Sequence, residues 1–231
     1  MRVASLLVGT LAASALLFLM LAADVAGGGP IVSFDRAVAA WLHTHATGFA
    51  TGVLSTVTQL GGATVLLGVT LVAAVALLLR RRISHAALMG ASLAGGEGLN
   101  MALKAAFERP RPSFSDPLAT AAGFAFPSGH AMVALTVYGA LAFVLAASVK
   151  SRRVQVLVLA AALVLVLAIG FSRLYLGVHY VSDVLGAYGA GLAWLMLCGL
   201  ALLGAARQYA QGSRFATGGL VSRRTSSAAS S

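Results

Sequence analysis

The chain has 231 residues, 59% of them apolar and 10% charged, with a mean hydropathy of +0.92. Such a composition excludes an ordinary soluble domain and describes an integral membrane protein. Its net charge of +10, from 16 Lys and Arg against 6 Asp and Glu, is read as membrane topology and lipid headgroup contact rather than as a nucleic-acid surface.

Apolar runs long enough to cross a bilayer, roughly 17 to 25 residues each, predict six helical spans. The first covers Val3 to Ala23. Arg2 before it and the small residues Ala22 and Ala23 after it also resemble a signal peptide, but the apolar part is longer than a signal's hydrophobic core, which favours a retained span. An amphipathic segment follows, in which Phe34, Ala37, Val38, Trp41 and Leu42 recur at helical spacing behind Ser33, a possible cap. It predicts an interfacial helix over 33–44. His43 and His45 near its end have no neighbouring Cys or carboxylate in the sequence to complete a metal site, and Trp41 suits an interfacial anchor.

The remaining spans are expected over Gly61 to Leu79, Ile83 to Leu103, Ala131 to Val149, Val154 to Ile169 and Val184 to Ala206. Cys198 lies alone within the last, where it fits ordinary packing. From Ser213 the chain is rich in Ser, Gly, Ala and Arg without apolar period and is expected to be a disordered cytoplasmic tail over 213–231, leaving 1–212 as the membrane domain. If six spans alternate, Arg2, Arg80 to Arg82, Lys150, Arg152, Arg153, Arg207, Arg214, Arg223 and Arg224 share one side. Cytoplasmic loops carry the basic excess, so that side is cytoplasmic and the opposite one external.

The external side holds three runs that carry chemistry. In KAAFERPRP, Lys104 ends a span, and Arg109 and Arg111 follow where prolines keep the chain extended. Cations here oppose the topology rule, and Arg111 with Lys104 suits phosphate, Arg as a two-pronged donor and Lys as a point charge. In FPSGH, Ser128 is a natural N-cap, Gly129 allows close backbone approach, and His130 lies at a helix start, a natural anion site. In SRLYLGVHYVSD, His179 and Asp183 are i and i+4, so the carboxylate can hold one ring nitrogen while the other keeps its lone pair.

Glu97, in GGEGLN within the third span, is an acid at membrane depth and therefore a functional suspect. It could tune Lys104 or pair with Asn100 in helix packing, and packing is the preferred reading, beside Gly95, Gly96 and Gly98.

The spacing Lys, six residues, Arg-Pro, then PSGH, then Ser-Arg, five residues, His, three residues, Asp resembles the type-2 phosphatidic acid phosphatase superfamily. Lys104, Arg111, Pro112, Pro127 to His130, Ser172, Arg173, His179 and Asp183 fill every position. The resemblance implies an all-α, six-helix membrane bundle in which His179 becomes a phosphohistidine, Asp183 orients it, and His130 is general acid and base. Lys104, Arg111, Ser128, Gly129 and Arg173 would hold the phosphate. Neither metal nor cofactor is expected, since the site carries cations where a magnesium enzyme would cluster carboxylates.

The expected activity is hydrolysis of a lipid phosphate at the external face of the plasma membrane. Phosphatidic acid, phosphatidylglycerol phosphate and undecaprenyl diphosphate fit alike, and Arg in excess of Lys hints at a bacterium. Two other readings of the same pattern are a vanadate-dependent haloperoxidase, whose relatives are soluble, and a non-catalytic lipid-binding or transport protein. Nothing in the sequence indicates an oligomeric state.

Overall fold

The computed structural model describes residues 2–228 as eight helices. They are α1 (Arg2–Gly27), α2 (Pro30–Thr44), α3 (Gly48–Gln59), α4 (Ala63–Leu79), α5 (Ile83–Phe107), α6 (Gly129–Ser148), α7 (Arg152–Tyr175) and α8 (Val181–Ala228). Four, namely α1, α6, α7 and the part of α8 over Val181–Ala206, are long and apolar enough to cross a membrane. A fifth span results if α3 and α4, bent by 42° at their junction, are counted together. α5 has the length, but Glu97, Asn100, Lys104 and its glycines dilute its apolar character.

The segment 33–44, expected to be helical, lies in α2, which begins three residues earlier because Pro30 occupies its first turn, where a missing N–H costs nothing. α3 was not anticipated. Its sequence GFATGVLSTVTQ is interrupted by Gly and Thr and reads as a loop, yet Thr47 caps it by accepting from the Ala50 N–H, and Tyr138 of α6 donates to the Leu60 carbonyl at 2.7 Å where α3 bends into α4. Past Ser213, where a disordered tail was expected, α8 continues helical to Ala228; the stretch contains Ala, Leu and Arg and no proline to stop it.

α6 is the central helix, its first half almost wholly buried from Ala131 to Tyr138 among α4, α5, α7 and α8. Small residues let its neighbours close in. A side chain at Gly96 of α5 would strike Thr136, and one at Gly191 of α8 would strike the Met132 carbonyl. α1 lies along α8, and a Cβ on Gly189 would sit 3.0 Å from the Ser14 carbonyl and 3.1 Å from the Phe18 nitrogen. Since backbone cannot yield as a flexible side chain can, Gly189→Val is expected to destabilise the bundle by about 1–3 kcal/mol, seen as a lowered thermal midpoint in detergent; an unchanged midpoint would contradict this packing.

Candidate active site

Four helix ends and two loops build the site. α7 ends in a Schellman turn: Gly177 takes φ +68°, its N–H donates to Leu174 O at 3.0 Å, and the Val178 N–H donates to Arg173 O at 3.2 Å. That turn presents His179 at the entrance to α8. Asp183, third residue of α8, reaches back to accept from the Tyr180 N–H at 2.8 Å, the acidic half of a capping box. Helix capping and imidazole orientation thus use the same carboxylate, because Asp183 Oδ2 also lies 3.3 Å from His179 Nδ1.

The hydrogen-bond pattern identifies the tautomer. Nε2 of His179 lies 3.0 Å from Arg111 Nη1, which can only donate, so Nε2 bears the lone pair and Nδ1 the proton given to Asp183. His179 is 2% exposed, and burial, with Arg111 and Arg173 adding to it against Asp183, lowers its pKa from the ordinary value to about 4. The imidazole is therefore neutral at pH 7, as an attacking nitrogen must be.

The loop joining α5 to α6 carries the second group. Arg111 donates from Nε to Gly123 O at 2.9 Å, from Nη2 to Ala122 O at 2.9 Å and from Nη1 to Val178 O at 2.8 Å. Its guanidinium is thereby fixed across the mouth of the His179 nitrogen. Lys104, in the last turn of α5, donates to Phe124 O. Arg173, in the last turn of α7, donates to Thr58 Oγ1 at 2.7 Å, and its buried Nε has no partner among the described residues.

FPSGH is held in place by aromatic packing. Phe126, fully buried, stacks on Phe18 at 5.8 Å and meets Phe107 edge-on at 4.9 Å, while Gly186 of α8 leaves room for its ring. Each such pair contributes about 0.5–1.5 kcal/mol beyond area burial. Ser128 is the N-cap of α6 by position, yet its side chain makes no capping bond, contrary to expectation. Its N–H donates instead to the Asp183 carbonyl at 3.0 Å, and its buried Oγ is unpartnered among the described residues. The first-turn N–H groups of α6, beginning at Gly129, have no carbonyl within the helix to accept them.

Lys104, Arg111, Gly129, His130, Arg173 and His179 all line one cavity of about 700 Å³. Asp183 and Ser128 stand behind its wall. The opening continues between α4 and α5 along Leu66, Leu67, Leu93 and Met101, so a cationic end passes into an apolar flank. Glu97 lines that flank and is not paired with Asn100, whose Nδ2 donates to Pro127 O at 3.2 Å and so braces FPSGH.

Two residues escaped the sequence reading. Arg109, grouped there with the phosphate cations, turns away from the cavity and donates to Asp183 Oδ1 at 2.6 Å, Ser182 Oγ at 2.7 Å and Asp35 Oδ2 at 2.8 Å. Asp35, on α2 and fully buried, was not singled out at all. Burial alone would lower the Arg109 pKa, but the Asp183 charge and the bonds to both carboxylates outweigh it and hold the pKa above its ordinary value. A buried acid next to Arg36 in an amphipathic helix reads from sequence as a solvated pair; only the fold shows the carboxylate facing inward.

His43, which has no carboxylate beside it in the sequence, meets one in the fold: its Nε2 lies 2.9 Å from Asp116 Oδ1 and its ring stacks on Phe114 at 4.0 Å. His45 stacks on Trp41 at 4.5 Å. Cys198 packs against the α4–α6 core.

A neutral imidazole held by a carboxylate, facing a second imidazole across a cavity rimmed by three cations, can accept and release a phosphoryl group. Comparison with known proteins gives the family. The family model of the PAP2 superfamily matches residues 85–205. Phosphatidylglycerophosphatase B of Bacillus subtilis (strain 168) is 33% identical over 184 residues, which cover 79% of this chain and 89% of that one. The crystal structure of a transmembrane PAP2-type phosphatidylglycerolphosphate phosphatase from Bacillus subtilis superposes with a TM-score of 0.76 at 32% identity, covering 82% of this chain and 94% of that one. Aquifex aeolicus LpxE shares the fold alone, with a TM-score of 0.55 at 20% identity over 74% of this chain and 94% of that one.

Proposed function

The chain belongs to the PAP2 superfamily of membrane phosphatases, and from that premise we propose that it removes the terminal phosphate of a lipid phosphate through a phosphohistidine at His179. The observation that carries this reading is the single cavity shared by His130, His179, Lys104, Arg111 and Arg173.

In the proposed reaction the Nε2 lone pair of His179 attacks phosphorus. An N–P bond forms as the ester P–O bond breaks, and His130 gives its proton to the departing alkoxide oxygen. Water then loses a proton to His130 and attacks the phosphohistidine, releasing inorganic phosphate and restoring the neutral imidazole. Asp183 holds the Nδ1 proton throughout and balances the positive charge the ring acquires. Arg111, Arg173, Lys104 and the first-turn N–H of Gly129 surround the phosphoryl oxygens, with the unpartnered hydroxyl of Ser128 behind them. A cation about 4 Å from such an oxygen is worth on the order of 4 kcal/mol before desolvation, so positioning and electrostatics account for most of the barrier lowering. Because these groups are cations, the mechanism needs no metal ion.

The apolar flank between α4 and α5 suits an acyl or prenyl chain, which supports a lipid substrate. Phosphatidylglycerol phosphate is the preferred one, by the names of the two Bacillus subtilis relatives. Counting α5 and the bent α3–α4 pair with the four apolar helices gives six spans. With the basic loops cytoplasmic, the cavity then opens at the external face of the plasma membrane, and residues beyond 212 form a cytoplasmic tail.

A panel of phosphatidylglycerol phosphate, phosphatidic acid and undecaprenyl diphosphate, assayed for phosphate release in EDTA, tests the reading. The highest kcat/KM is expected on phosphatidylglycerol phosphate. Release from none of the three contradicts the lipid phosphatase assignment, and release only after added Mg²⁺ contradicts the metal-free mechanism.

A further inference from the structure

We propose that Asp35, on the interfacial helix α2, is a positioning residue for His179: by pairing with Arg109 it leaves Asp183 with a net negative charge to set against the imidazole. This inference rests on the phosphohistidine reading above.

The chain of contacts is continuous and buried. Asp35 accepts from Arg109 Nη2 at 2.8 Å, from the Ser182 N–H at 3.0 Å and from the Ser182 hydroxyl. Arg109 donates onward to Asp183 Oδ1 at 2.6 Å, and Asp183 Oδ2 faces the His179 ring at 3.3 Å. Asp35 and Asp183 are fully buried, Arg109 is 8% exposed, and its guanidinium is covered by the Tyr180 ring at 4.4 Å. Little water is present to screen these charges, so their sum decides what His179 feels.

That sum is −1 for Asp35, Arg109 and Asp183 together. Remove Asp35 and it becomes zero, because Arg109 and Asp183 then form a closed pair. His179 becomes cationic while bonded to phosphorus, and around it stand Arg111, Arg173, Lys104 and His130. The negative surplus behind it is what opposes those cations. Neither Asp35 nor Arg109 belongs to the Lys, Arg-Pro, PSGH, Ser-Arg, His, Asp spacing.

α2 is well placed to hold such a residue. Its far end is clasped by His43 on Asp116 and Phe114, and Phe114 packs against Gly177 in the turn before His179. Leu42 packs with Tyr175, Leu176 and Val178. Phe34 and Trp41 point outward, 53% and 59% exposed, which suits a helix lying in the headgroup layer.

The full-length protein in detergent provides the test. Asp35→Asn is expected to lower kcat by about 10- to 100-fold, the usual cost of losing a residue that orients another, with KM changed less than about threefold. The acid limb of the kcat profile should move to lower pH, because an imidazole deprived of negative charge binds a proton less readily. A merely loosened site would admit water and move that limb the other way, towards the ordinary value near 6.5. The double variant Asp35→Asn with Arg109→Gln removes both charges, restores the sum of −1, and should recover at least tenfold in kcat over Asp35→Asn.

A wild-type profile in Asp35→Asn, or a double variant no better than the single, would overturn the proposal. If Asp35→Asn does not fold, the double variant still decides: kcat within about tenfold of wild type supports the role, and inactivity equal to that of His179→Ala refutes it. A fully active His179→Ala would instead refute the underlying phosphohistidine reading.

Discussion

Replacing His179 by Ala is expected to reduce phosphate release by on the order of 10⁴-fold or more, the scale seen when a nucleophile or its orienting partner is removed from a covalent mechanism. The loss should fall on kcat, while lipid binding, carried by the apolar flank and the cations, persists. The expectation rests on one arrangement: a buried, neutral ring whose Nδ1 proton is held by Asp183 and whose Nε2 opens towards Arg111. Arg111 covers that lone pair in the resting site, so an arriving phosphate must take the guanidinium's donor as it takes the nitrogen's electrons. Phosphate release by the variant at more than a few per cent of wild type would remove His179 from the role.

The second large effect is expected at His130. As the proton donor to the leaving group, its loss should cost about 10²–10⁴-fold on alkyl phosphates such as lipid esters. An activated aryl phosphate departs without protonation, so the first step should be nearly unaffected there. Comparing a short-chain phosphatidic acid with p-nitrophenyl phosphate in His130→Ala, by burst and steady-state kinetics, separates the steps. Equal losses on both in the burst phase would mean that His130 does not protonate the leaving group.

The chemistry was more legible in the sequence than the frame that holds it. Spacing and helix parity put the runs that carry His130, His179, Lys104, Arg111 and Arg173 on one side of the membrane, because a helix end fixes where a side chain emerges; the fold brings them to one cavity. Asp183 was legible because i and i+4 share a helix face, although its second duty, capping Tyr180, was not. What escaped depends on packing between distant segments. α3 lacks the apolar length that marks a span, yet it supplies Thr58 to Arg173. The bend after it places Gly61 where a Cβ would crowd His130 and Ile169. Asp35 looks like a surface charge, and Arg109 like one more phosphate cation, until α2 folds onto the α5–α6 loop. Six apolar runs were counted, but α5 fell short of span hydropathy because its polar residues, Glu97, Asn100 and Lys104, face the cavity and the FPSGH loop.

Everything in the proposed mechanism depends on a phosphoryl group passing through the His179 ring. Purified protein mixed with ³²P-labelled phosphatidylglycerol phosphate, quenched in alkali within one turnover and digested, should carry label on the peptide containing His179, bonded at Nε2, stable in base and lost in acid. Label on His130, label that is stable in acid, or turnover with no labelled protein at any quench time would contradict it.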